Sequence, residues 1–190
     1  METAQNAFET DSVRARDLIF EHITDKIEDL LGSMCFVAAE PNQPRTQPHS
    51  YCDDIIGYLQ VTFMCLTHLP LAVREGVHFA SCARVANGIL GFLTDPEENS
   101  GVKKINVYAL LGFRKDVQAL QQFADSCGVN HLSQCFLELS QVLDAALNSE
   151  LPQMVLANDV QGVKNLYPTL NTSKLAMLMT MSANSPPLLD

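Results

Sequence analysis

Asp53 and Asp54 stand side by side at the head of an apolar stretch, and paired carboxylates are what general acid–base chemistry requires. Adjacent residues of a helix point about 100° apart, however, so the two would not converge on one substrate atom. Both fit better as first-turn acids, favourable to the positive end of a helix dipole. The histidines at 22, 49, 68, 78 and 131 show neither HExxH nor i, i+4 spacing, so no metal site is assigned. Six cysteines contain no CxxC pair, and four of them fall inside predicted helices. The amino-terminal stretch METAQNAFETDSVRARD is polar, which implies reduced, mostly buried thiols and a cytosolic location. No phosphate-binding loop, dinucleotide fingerprint or nucleophile elbow occurs. The residues therefore assign no catalytic, metal or cofactor-binding role, and the chain is expected not to be an enzyme.

Charge narrows the partners. Twelve Lys and Arg against 22 Asp and Glu leave a net charge of -10, which repels phosphate backbones and anionic lipid. No nucleic-acid partner is expected, and a membrane is expected to be met only through other proteins. With 190 residues, 47% of them apolar and 18% charged, the chain should form one well-packed domain burying roughly 70% of its unfolded surface. Such a balance also suits a piece of a larger assembly, with a face covered by a partner.

Apolar spacing of three and four residues recurs through the chain, and no alternation long enough for a sheet is found. The predicted class is all-α, an antiparallel bundle of five or six helices. The strongest pattern, Tyr51 to Pro70, carries Ile56, Leu59, Phe63 and Leu66 on one stripe, widened by Gly57, Met64 and Cys65, and is expected to be the element on which the others pack. Ser50 is its expected cap and Pro70 its stop. Its uncharged run from Ile55 to Val73 is broken by Gln60, Thr62, Thr67, His68 and Pro70, which argues against a membrane span.

Residues 1–11 are expected to be disordered, with a helical domain over 12–181. Asp11 or Ser12 would cap a first helix with the stripe Phe20, Ile23, Ile27 and Leu30, stopped by Gly32. A mobile Pro-rich loop is expected over 32–50. A helix from Leu69–Pro70 to about Leu93 carries Gly76, Ala80, Ala83, Ala86, Gly88 and Gly91, small residues that permit close helix approach. Thr94 to Gly101 reads as a turn. Asn106 caps the next helix, with Phe113, Val117, Leu120 and Ala124 inward and Gly128 as its stop. Asn130 caps the following one, with Leu132, Phe136, Leu139, Leu143 and Leu147 inward. Pro152 opens a weaker segment, Asn171 or Thr172 begins a short helix through Leu175, Leu178 and Met179, and 182–190 is expected to be a flexible tail.

On the helix after Asn106, Leu111, Lys115, Gln118 and Gln122 fall roughly opposite Phe113, with Arg114 on the flank. Leu111 either packs on a further helix or forms the apolar centre of a partner surface, with Arg114, Lys115 and Gln118 as its polar rim. Leu90-Gly91-Phe92 and Leu111-Gly112-Phe113, each with an Asp three residues after the Phe, read as coincidence rather than a repeat.

With the elements placed, the sequence resembles the carboxy-terminal region of the exocyst complex component six family, the Sec-fifteen subunit. The resemblance rests on Tyr51-Cys52-Asp53-Asp54-Ile55-Ile56 with Tyr58-Leu59, Thr67-His68-Leu69-Pro70, Phe113 with Asp116-Val117, Phe123-Ala124, Leu139 with Gln141 and Leu143-Asp144, and Leu166-Tyr167-Pro168 with Leu170-Asn171 and Leu175. It implies a piece of a helical rod in an exocytic complex that tethers secretory vesicles to the plasma membrane. It also implies, as partners, a Rab family small GTPase in the GTP state and other exocyst subunits, with Leu111, Phe113, Arg114, Lys115 and Gln118 as candidate contact residues. Two departures stand out. Arg114 occupies the place of an Asn that animal members carry and that is implicated in Rab binding. The chain also has no Trp and ends in SANSPPLLD, where the family tends to have a Trp-containing segment and basic helices. A purely structural helical segment is the alternative to a GTPase-binding one.

Overall fold

The computed structural model describes residues 2–95, 104–151, 154, 157 and 159–183, and every regular element among them is helical. Seven α-helices are described: α1 (Glu2–Gly32), α2 (Ser50–Cys65), α3 (Leu71–Thr94), α4 (Val107–Ser126), α5 (Leu137–Leu147), α6 (Val160–Leu166) and α7 (Thr172–Ala183). Single 3-10 turns occupy Ser33–Phe36, Leu66–His68 and Leu132–Phe136. The class is all-α, as the periodicity implies.

Helix α1 starts at Glu2, well before the cap expected at Asp11 or Ser12 and across the stretch expected to be disordered. Residues 2–31 hold no Gly or Pro, so no residue interrupts the helix. Ile23 and Ile27 are buried, with Phe20 and Leu30 packed at the edge of the core.

The fully buried stripe of α2 is Cys52, Ile55, Leu59 and Phe63, and of the expected set Leu59 and Phe63 lie on it while Ile56 and Leu66 are partly buried at the edge of the core. The buried stripe begins a turn earlier than expected, and Leu66, in the 3-10 turn, still packs against the core. Met64 is 66% exposed and Cys65 is also exposed, so neither widens the apolar side. Ser50 is the first helical residue, not the cap. That position belongs to His49, which makes no side-chain cap bond.

The organising element is α3 rather than α2. Ten of its residues are buried against five of α2, and it packs on α1, α2, α5, α7 and the 132–136 turn. Part of its small-residue pattern serves close approach: a Cβ at Gly88 would run into the Leu31 side chain, and Phe20 lies 3.8 Å from where one would stand at Gly76. Ala86 is buried, whereas Ala80 faces solvent.

Asn106 caps α4, its side chain accepting from Ala109 N–H at 2.9 Å. Gly128, with φ of 68°, sits beyond the helix end in the left-handed region that glycine tolerates. The next segment starts at His131 (φ 63°) instead of Asn130 and runs through a 3-10 turn before α5. Leu132, Phe136, Leu139 and Leu143 are buried there as expected, with Val142 and Ala145. In α7, Leu175, Leu178 and Met181 point inward while Met179 is 37% exposed. One apolar cluster joins α1 to α5 and α7; a small second one gathers Ala145, Leu151 and Leu175 with Val163, Tyr167 and Leu170. Most of the expected 94–101 turn, the Pro152 start and most of the 182–190 tail lie outside the described residues. All six cysteines are free. Cys52 and Cys82 are buried, but Cys35 and Cys65 are exposed, so burial of the thiols is less general than expected. Among the described residues no helix is long and apolar enough to cross a membrane.

Candidate functional site

Helix α4 presents four different faces to four environments. Phe113, Val117, Leu120 and Ala124 are buried in the core. Phe113, a candidate contact residue, is 1% exposed, with its ring 5.4 Å from that of His49 and 6.0 Å from that of Phe92. It therefore supports the outer face from beneath and does not itself offer a surface. The two Leu-Gly-Phe words thus meet ring to ring, although they form no repeat.

The outward strip consists of Leu111 and Lys115, both half-buried, with Gln118 and Gln122 exposed. Leu111 is not among the residues packed against the core clusters. Arg114 flanks the strip on the α5 side, its Nε 2.8 Å from Asp144 Oδ1. The guanidinium placed in the polar rim of a partner surface thus has an acid of its own chain. Both partners are partly exposed, so the pair contributes only about 0.2–1 kcal/mol.

The opposite flank, near Gly112, is covered by the connection between α1 and α2. A Cβ on Gly112 would lie 2.8 Å from His49 Cε1 and 3.7 Å from Arg45 Cδ. Glycine is needed here for space, not for backbone freedom. Arg45 is exposed. On a chain of net charge -10, Arg45 and Lys115 add positive charge near this helix, while the charge of Arg114 is offset by Asp144.

The connection is held at three points. Asn106 N–H donates to Ala39 O at 3.0 Å, and Asn106 Nδ2 donates to Pro41 O at 2.8 Å. The third point is Asp116, 0% exposed. His49 N–H donates to its Oδ1 at 2.7 Å, His49 Nδ1 lies 2.7 Å from Oδ2, and the Tyr51 hydroxyl donates to Oδ2 at 2.7 Å. Cys52 Sγ reaches the Asp116 carbonyl at 3.6 Å. Burial first, and the Asp116 charge second, push the Tyr51 phenol well above its ordinary value. The loop expected to be mobile thus carries several anchors. An acid on the apolar side of α4 was the available signal for Asp116, since a buried carboxyl requires partners; nothing in the spacing of His49 indicated that it would be one of them.

Fold and strip together define an all-helical domain with an outward strip on α4 built around a leucine. The family described as Exocyst complex subunit Sec15 C-terminal matches residues 2–181, and the chain belongs to that family. It is similar to Exocyst complex component 6 of Caenorhabditis elegans, 31% identical over 55% of this chain and 13% of that protein. It is 32% identical to human Exocyst complex component 6B over 50% of this chain and 12% of that protein. Exocyst complex component sec15 of Schizosaccharomyces pombe is 27% identical over 71% of this chain and 17% of its own length. The matched stretch is thus under a fifth of those relatives. No solved structure is matched.

Proposed function

We propose that the chain acts as the carboxy-terminal domain of an exocyst-type vesicle-tethering subunit, working in the cytoplasm at secretory vesicles or the plasma membrane. In this reading the outer face of α4 binds an activated Rab small GTPase, and other faces meet other subunits of the tether. The observation that carries it is the strip itself: Leu111 is unclaimed by the core, Lys115 and Gln118 border it, and Arg45 adds positive charge on the flank near Gly112. An acidic partner surface fits such a face and would be steered to it at low salt.

The Arg114–Asp144 pair favours a second reading, a purely structural segment without a GTPase site, because it neutralises the residue that departs from the animal pattern. Titration against Rab proteins loaded with GTP or GDP separates the two. The first reading expects tighter binding of the GTP form, an association rate that falls with salt, and loss of binding in Leu111→Asp and Lys115→Glu. Binding indifferent to nucleotide, or untouched by both substitutions, leaves the structural reading.

A further inference from the structure

Helices α1 and α2 part to leave an open groove of about 480 Å³. Leu18 and His22 of α1 form one wall and Tyr58, Val61 and Cys65 of α2 the other, over a half-buried floor of Ile19 and Leu66. The walls are open to solvent: Leu18 is 56% and Val61 57% exposed, and His22 and Cys65 are exposed with them. None of the lining residues is Asp, Glu, Lys or Arg.

Each wall continues along its helix into acid. On α1 the positions i, i+4, i+7 and i+11 read Leu18, His22, Asp25 and Asp29; on α2 the same spacing reads Asp54, Tyr58, Val61 and Cys65, so each set lies on one helical stripe. The two stripes run in opposite directions. Phe20 stands beside Gly76 and Leu31 beside Gly88, which makes α1 and α3 parallel, while the short 66–70 connection folds α2 back against α3, with the Phe63 and His78 rings in contact. Helix α1 is therefore antiparallel to α2, and the acidic ends coincide. Asp25, Asp29 and Asp54, all exposed, gather at one end of the groove, with Asp53 on the flank. Lys26 lies 4.0 Å from Asp29 and offsets it, but Asp25 and Asp54 take part in no ion pair among the described residues.

An occupant of this groove must be apolar along one side and basic at one end. It must also bring its own backbone hydrogen bonds, because both walls are helices whose peptide groups are already paired and which offer no strand edge. An α-helix meets that condition, and the stretch from Leu18 to Asp29 rises about 16 Å, room for about three turns. A second copy would bring another chain of net charge -10 to an acidic rim, and anionic lipid is repelled in the same way. We propose that the groove between α1 and α2 is the docking site for an amphipathic helix of a partner protein. Its apolar residues, at spacings of three and four, fill the end at Leu18 and Val61, and Lys or Arg residues at one terminus lie over Asp25 and Asp54. No residue of α4 takes part, so the groove and the GTPase reading stand or fall separately.

The test uses the full 190-residue chain, isotope-labelled, titrated by NMR with two sixteen-residue helical peptides of Ala and Gln. Both carry Leu at the second, fifth, ninth and twelfth positions, and they differ only in the last three residues, Lys in one and Glu in the other. The Lys peptide should shift the amides of 15–29 and 54–66 and bind at least fivefold more tightly than the Glu peptide, with the gap closing in molar salt. Asp25→Lys combined with Asp54→Lys should reverse the preference, and Val61→Asp should weaken both peptides at an unchanged melting temperature. Equal binding of the two peptides would overturn the proposal, as would shifts confined to other surfaces or none in the millimolar range. So would a dimer in sedimentation that Val61→Asp dissolves, which assigns the face to a second copy, or pelleting with phosphatidylserine vesicles that the same substitution abolishes, which assigns it to a membrane.

Discussion

At the scale of single residues, Asp116 is where sequence and structure meet most tightly. Its carboxyl collects the backbone and ring of His49 and the hydroxyl of Tyr51, all at 2.7 Å. Removing it strands buried donors, and Asp116→Ala should destabilise the chain by about 3–5 kcal/mol in urea titrations. Tyr51→Phe removes one bond but leaves the acid served by His49, so about 1.5–3 kcal/mol is expected. A loss below about 0.5 kcal/mol for Asp116→Ala would show the network to be incidental. Alkali probes the same region. Burial raises the Tyr51 phenol and the Cys52 and Cys82 thiols above their ordinary values, so the folded chain keeps protons that the unfolded chain gives up. Their contribution is complete below the unfolded values, about 8.5 for Cys and 10 for Tyr, and is lost as pH rises past them. The urea midpoint should hold level from pH 7 to 8 and then fall, with Tyr51→Phe flattening the part of the fall above pH 10. A midpoint unchanged up to pH 11 contradicts this.

At the scale of elements, what was legible in the sequence is what short-range periodicity can encode. The inward faces of α4 and α5, the Asn106 cap and the Gly128 stop all follow from spacing and side-chain chemistry, and all stand where expected. What spacing could not encode is long-range. Helix α2 carries the more regular pattern, yet α3 is the hub, because its ten buried residues spread over an arc that meets several neighbours at once. Likewise His49 is joined to Asp116 across 67 residues, and Phe113 belongs to the core that the candidate surface rests on. The glycines allow a paired test. Gly57→Ala meets nothing within 4 Å and should stabilise α2 by about 0.5–1 kcal/mol through helix propensity. Gly112→Ala gains the same propensity but pushes a Cβ into His49, and should be destabilising by about 1–3 kcal/mol. Equal and favourable shifts in melting temperature for both would mean that the loop gives way freely. Phe63→Ala, which removes a ring packed on His78 and Phe123, should cost about 3–5 kcal/mol.

At the scale of the whole molecule, the main apolar cluster runs through α1 to α5 and α7, whereas the second cluster around Leu151 and Tyr167 is small. Native-state hydrogen exchange should therefore show the slowest amides in α3 and α4, and clearly faster exchange in α6, where none of the residues is buried. Uniform protection across α3 and α6 would mean that the small cluster is as firmly held as the large one. The tied connection between α1 and α2 bears on a different matter, the lengths the chain can tolerate. Between the anchors at Pro41 and His49, residues 42–47 are all exposed, so this span behaves as a short surface loop with fixed ends. Lengthening such a span is thermodynamically cheap, about 0.6 kcal/mol for each doubling. An affinity tag or fluorophore-binding peptide placed after Gln43 should leave the fold intact. The same insertion beside Ala39 or His49 would pull on Asn106 or Asp116, so the point where this chain accepts a reporter lies within a few residues of points where it does not.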